Sequence, residues 1–132
     1  MTTWQDGVAI RTLVGEVRGE PIEGRKAVAH VLLNRLRTGK WGSTLAQVCL
    51  AHAQFSCWLS SDPNWKLLTS ISDFDPIMLE MAGVLNAARQ EPDFTGGATF
   101  YYAVSMPKAP IWTLGATFTG QWGHQKFYSG VV

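Results

Sequence analysis

The stretch that decides the fold is GRKAVAHVLLNRLR, residues 24–37. Wound as an α-helix, it spreads Ala27, Val28, Ala29, Val31, Leu32, Leu33 and Leu36 around most of its circumference. His30, Asn34 and Arg37 remain as the main polar strip. A helix apolar on most sides is the one that others pack around, so this segment predicts a central, buried helix. Gly39 ends it. Towards the N-terminus, about Asp6 to Val17 reads as a first helix. Its Ala9, Ile10, Leu13, Val14 and Val17 share one arc, Arg11 and Arg18 point away, and Gly19 and Pro21 stop it. In the other direction, Thr44 caps a short helix through Leu50, and Ala53 to Phe74 reads as one long irregular stretch. Asp75-Pro76 then starts a helix through Gln90. After Pro92 the texture turns aromatic and β-prone at residues 98–104, 116–119 and 125–128, which predicts three short strands in a small antiparallel sheet or hairpin. Helices first and short strands after give an α+β architecture, mainly helical, with the sheet in the C-terminal third.

The 132 residues suit a single domain, 1–132. A composition 46% hydrophobic and only 16% charged excludes disorder and supplies a core. No apolar run is long enough to cross a bilayer, so membrane insertion is not expected. A net charge of +1 without any Lys/Arg run argues against a nucleic-acid partner. No charged segment followed by an apolar one opens the chain, so no secretory signal is expected. A monomer is expected. Cys49 and Cys57 are compatible with one disulfide or with two buried thiols, and neither has partners at zinc spacing. His52 has no companion at ligand spacing either, so neither metal nor cofactor is expected. Six tryptophans serve as core anchors or as stacking faces for sugar rings.

Glu16 is the most informative acid. It flanks the apolar arc of the first helix, where partial desolvation raises a carboxyl pKa towards that of a general acid. It also sits near the helix C-terminus, an unfavourable place for a carboxylate. Glu20 lies one turn further on, close to the same side. His124, in a turn entering a strand, is an acid/base candidate or a histidine satisfied by a nearby carbonyl. His30 and Asn34 face either a cleft or a loop, with His30 assigned to the loop.

The blocks VGEVRGEPIEG (14–24), AVA (27–29), VLLNR (31–35), QFSCW (54–58), GATFYY (97–102), PIW (110–112) and GHQKFY (123–128) occur in order across nearly the whole chain. Together they resemble the SleB-type cell wall hydrolases, which include spore-cortex-lytic enzymes and phage endolysins. The resemblance implies a lysozyme-like α+β catalytic domain that cuts peptidoglycan glycan strands between N-acetylmuramic acid and N-acetylglucosamine. The family's catalytic glutamate falls on Glu16. Val17 departs from the usual Ala or Ser. Spore-cortex enzymes carry a separate wall-binding domain and a secretion signal, and neither is expected here, so the chain looks more like a stand-alone phage-type lysis enzyme, made in the host cytoplasm and reaching the wall through a membrane lesion made by another protein.

Two mechanisms follow. A hydrolase needs a second carboxylate, for which Glu20, Asp62 and Asp75 are candidates. A lytic transglycosylase needs none, because Glu16 activates the muramic 6-hydroxyl itself, and the resemblance favours this route. Gln54, Ser56, Tyr101, Tyr102 and His124 offer neutral donors and acceptors for acetamido and hydroxyl groups. Trp58 and Trp112 offer stacking faces, and Trp4 and Trp41 are assigned to packing. Alternation along a strand makes one of Tyr101 and Tyr102 structural. The competing classes are an amidase or peptidase acting on the stem peptide and a non-catalytic glycan-binding module.

Overall fold

A computed structural model describes residues 3–51 and 54–132, so His52, which the sequence reading set aside, lies outside the described residues. Five helices come first: α1 (Trp4–Val17), α2 (Ile22–Thr38), α3 (Leu45–Leu50), α4 (Pro63–Ser70) and α5 (Pro76–Gln90). Three strands follow: β1 (Phe100–Ala103), β2 (Thr117–Trp122) and β3 (Gln125–Ser129). Single 3-10 turns lie at Ser56–Trp58 and Ile111–Thr113.

The central helix is where the sequence puts it. Residues Ala27 to Leu32 of α2 are fully buried, and α1, α3 and α5 all pack against it. Each buried leucine or valine contributes about 1.5–3 kcal/mol through removal of apolar area from water. Gly39 closes α2 at φ +73°, and its N–H donates to the carbonyls of Arg35 and Leu36. The caps read from the sequence form as hydrogen bonds. Thr44 Oγ1 accepts from Gln47 N at 3.2 Å, and Asp75 Oδ1 accepts from Ile77 N at 3.0 Å.

One reading is corrected. Residues 53–74 are not irregular throughout, because α4 lies inside them. Asp62-Pro63 repeats the signal of Asp75-Pro76, and Asp62 Oδ1 accepts from Asn64 N at 2.8 Å. Only Leu68 of α4 is buried, so the helix carries almost no apolar periodicity to betray it. The cysteines resolve the other way from a bridge: Cys49 and Cys57 are free, buried thiols.

The sheet is antiparallel with β3 in the centre, in the order β1-β3-β2. Tyr101 pairs with Phe127, and Tyr102 with Lys126. Phe127 is fully buried and anchors the inner face to the helices. Asn34 Nδ2 bonds Asp93 Oδ2 at 3.0 Å and the Ala98 carbonyl at 2.9 Å, which fixes the segment entering β1. His30 stands edge-on to Phe94, with Nδ1 3.7 Å from Asp93 Oδ1, so it faces this loop. Burial pushes the Asp93 carboxyl up, but bonds from Thr95, Asn34 and Gly97 outweigh it and hold the group below its ordinary value.

Candidate active site

Glu16 lies in the last turn of α1, on the border of the arc that α1 turns to the core. Opposite it, β1 presents Tyr101 on its inner face, because Tyr101 is paired with the buried Phe127 and packs against it at a tilt, with ring centroids 5.4 Å apart. The Tyr101 hydroxyl donates to Glu16 Oε1 at 2.8 Å. Burial raises the Glu16 carboxyl above its ordinary value of 4.5. Hydrogen bonds from Tyr101 and the Cys57 thiol pull it back, Asp62 pushes it up, and Arg35 opposes weakly. Gly15 makes the Cys57 approach possible: a Cβ there would stand 2.8 Å from Cys57 Cβ and 3.0 Å from its Sγ. The Cys57 thiol is itself driven up by burial and by Glu16, which makes it a donor and not a thiolate nucleophile.

The two residues face a pocket of about 310 Å³ lined by Glu16, Arg35, Gln54, Phe55, Phe100, Tyr101 and Trp112. Arg35, 4% exposed, is its cation. The guanidinium carbon lies 4.5, 5.2 and 4.7 Å from the ring centroids of Trp41, Phe55 and Phe100. Arg35 Nε donates to the Thr99 carbonyl at 2.7 Å, and Nη1 to Gln54 Oε1 at 2.9 Å. Gln54 is thereby oriented with its carbonyl spent. Burial lowers the Arg35 pKa to about 10, which leaves it charged at neutral pH.

Of the residues singled out in the sequence, the structure brings Gln54, Tyr101 and Trp112 together with Glu16. The others go elsewhere. Glu20 turns to the β2–β3 hairpin, where its Oε1 accepts from His124 N at 2.7 Å and its Oε2 lies 3.1 Å from His124 Nδ1. Neither residue lines the pocket, so Glu20 does not supply a carboxylate there, nor His124 a donor. Tyr102 points to the outer face of the sheet, with ring centroids 5.9 Å from Tyr128 and 5.9 Å from Trp112. It buttresses Trp112 from behind. Ser56 is exposed and outside the lining. Trp58 Nε1 donates to Thr12 Oγ1 at 2.8 Å, and the ring lines a separate depression of about 500 Å³ with Trp4, Leu50 and Leu68. The charged pair of that depression, Arg11 and Asp73, is joined at 2.8 Å. Asp62 and Asp75 spend an oxygen each as helix caps.

The profile of the cell wall hydrolase family matches residues 19–128. The chain belongs to the cell wall hydrolase family. The match begins three residues after Glu16, so the role of that residue rests on its geometry. A spore cortex-lytic enzyme of Oceanobacillus iheyensis is 39% identical over a stretch taking in 47% of this chain and 25% of the relative. The chain thus spans about a quarter of that curated relative. Among solved structures, this cell wall hydrolase is similar to the catalytic domain of the germination-specific lytic transglycosylase SleB from Bacillus anthracis. The TM-score is 0.75 at 21% identity, over 96% of each chain. The SleB catalytic domain of Bacillus cereus gives 0.76 at 21% identity, over 98% of this chain and 93% of the other. These likenesses establish the lysozyme-like α+β fold.

Sequence reasoning missed Arg35, Phe55 and Phe100. The signal for Arg35 was present: a charge on a helix that is otherwise apolar nearly all round must be buried and therefore paired. Its aromatic box was not foreseeable, since Trp41, Phe55 and Phe100 come from three separate segments.

Proposed function

We propose that this chain cleaves peptidoglycan glycan strands at the β-1,4 bond between N-acetylmuramic acid and N-acetylglucosamine, with Glu16 as general acid and then base. The observation that carries the reading is the half-buried Glu16 carboxyl, raised by desolvation and held by the Tyr101 hydroxyl on the wall of a pocket. Protonated Glu16 donates to the glycosidic oxygen as the bond to the anomeric carbon breaks. The Tyr101 hydroxyl holds Oε1 and, with the Cys57 thiol, fixes the carboxyl on the wall of the pocket.

The lytic transglycosylase route is favoured over hydrolysis by the lining of the pocket. Among the described residues that line it, Glu16 is the single carboxylate, whereas a hydrolase needs a second one across the bond. In the favoured route the Glu16 anion takes the proton of the muramic 6-hydroxyl. That oxygen then closes on the anomeric carbon, and the proton on Glu16 is restored. The name of the Bacillus anthracis relative, a lytic transglycosylase, supports the same choice. Mass spectrometry of purified peptidoglycan digested by wild type and by Glu16→Gln tests it. Anhydro-muramic ends formed by wild type alone are expected; reducing muramic ends would replace the route by hydrolysis, and intact glycan with clipped peptides would remove the reading. As a biological role we propose phage-type lysis, one of the roles found among the cell wall hydrolases that the sequence blocks resemble. Cells expressing the chain should stay intact until their membrane is permeabilised.

A further inference from the structure

The pocket holds one group that the acid–base chemistry above does not use. Arg35 carries five N–H donors in a rigid planar fork. Nε and Nη1 are engaged by Thr99 and Gln54. Among the described residues Nη2 has no partner, and it is not one of the side-chain atoms both sealed from solvent and unbonded, which are the His30 ring nitrogens and Gln125 Oε1. Arg35 lines the pocket shared with Glu16, where a bound glycan can meet the rest of the fork. The aromatic rings around the guanidinium fix its plane and keep water from its faces. Burial holds the other two titratable groups of the lining, Glu16 and Tyr101, towards their neutral forms, so the pocket presents a positive, directional donor.

The two sugars of a peptidoglycan strand alternate and both carry an acetamido group. They differ at O3, where muramic acid bears a lactyl ether ending in a carboxyl, either free or amide-linked to a stem peptide. Acetamido and hydroxyl groups therefore cannot tell the cell wall enzyme which sugar is which. A fixed guanidinium beside the acid can, because it pairs with a carbonyl or carboxylate oxygen in its plane. Resting on the function proposed above, we infer that Arg35 is a substrate-reading residue whose Nη2 binds the lactyl carbonyl or carboxylate of muramic acid, and so sets which of the two alternating linkages lies at Glu16.

The test compares kcat/KM on three substrates: strands bearing stem peptides, strands stripped of them to free lactyl carboxylates, and β-1,4-linked N-acetylglucosamine oligomers without lactyl groups. Wild type should cleave the lactyl-bearing strands about tenfold or more faster than the oligomers, as expected for one charge-assisted hydrogen bond. Arg35→Lys keeps the charge and loses the fork, and should lose most of that preference through KM. Arg35→Gln should lose all of it. Thermal melts report whether each variant folds; if neither does, binding of N-acetylmuramic acid against N-acetylglucosamine by folded Glu16→Gln protein decides, with an expected preference of about tenfold. A faster reaction on stripped strands identifies the carboxylate as the acceptor, and a faster one on peptide-bearing strands the amide carbonyl; both support the assignment. Equal losses on all three substrates, or wild type without a preference, would overturn it. Failure of wild type to cut any glycan would instead remove the proposed function, which the first arm reads by itself.

Discussion

Glu16 and Glu20 stand four residues apart at the same end of α1, and a helical wheel alone gives them nearly the same bearing. Their surroundings in the fold could hardly differ more. Glu16 meets a phenol, a thiol and a pocket wall of aromatic rings with Arg35 and Gln54, and burial raises its carboxyl. Glu20 lies past the end of the helix and meets the backbone N–H and ring of His124, where it pins the β2–β3 hairpin to the α1–α2 corner. The acid whose carboxyl burial raises faces a pocket, while both oxygens of the other are occupied by a structural task. Proximity in sequence proposes a catalytic pair; the partners each acid finds decide against it.

The largest test of that contrast is a pair of amide substitutions. Glu16→Gln should lower turnover on peptidoglycan by about 10²–10⁴-fold, the usual range for a general acid. Glu20→Gln keeps an oxygen for the His124 N–H and should stay within about twofold of wild type, a difference below roughly 0.5 kcal/mol. A large loss in Glu20→Gln with an unchanged melting temperature would break the comparison. The clamp itself is probed at Gly123, which has φ +63° and whose Cβ would lie 2.4 Å from Glu20 Oε1. Gly123→Ala should cost about 2 kcal/mol in chemical denaturation, from the left-handed backbone and the displaced carboxylate together.

A smaller effect is expected at Tyr101. Its hydrogen bond lowers the Glu16 pKa, so Tyr101→Phe should raise that pKa further and move the alkaline limb of kcat/KM to higher pH. The rate itself should fall about tenfold as the carboxyl loses its fixed orientation, roughly 1.4 kcal/mol. A limb moving to lower pH would contradict the assignment of the limb to Glu16. The smallest effect is on stability. The folded-state pKa of Glu16 lies above its ordinary 4.5, so its burial starts to cost stability above that pH. The cost grows until the folded-state pKa is passed and then levels off. Glu16→Gln removes it, so the variant should melt above wild type at pH 7 and at the wild-type temperature near pH 4.

What was legible in the sequence followed from periodicity and capping. The 24–37 helix announces itself by an apolar surface nearly all round, and Thr44 and Asp75 by cap chemistry that needs no distant partner. The split between Tyr101 and Tyr102 was legible in kind, since alternation forces opposite faces, but which one faces inward depends on pairing with Phe127 across β3. The 3-10 turn at Ser56–Trp58 illustrates what was not legible. Gln54 and Trp58 are four residues apart, yet one reaches the Glu16 pocket and the other packs on Thr12. That division is set by the close approach of Cys57 to Gly15, a contact across about 40 residues of chain that leaves no local trace. Glu20 was over-read for the same reason: its partner, the backbone N–H of His124, lies 104 residues away.

The two thiols carry a consequence of their own. Cys49 and Cys57 are unbridged, sealed in the core, and held in the protonated form, with burial pushing Cys49 up to about 11. Neither has the thiolate character that oxidants, alkylating agents or disulfide exchange require. Folding of this domain therefore involves no oxidative step and no isomerase to sort one. The folded domain should keep its melting temperature unchanged by dithiothreitol.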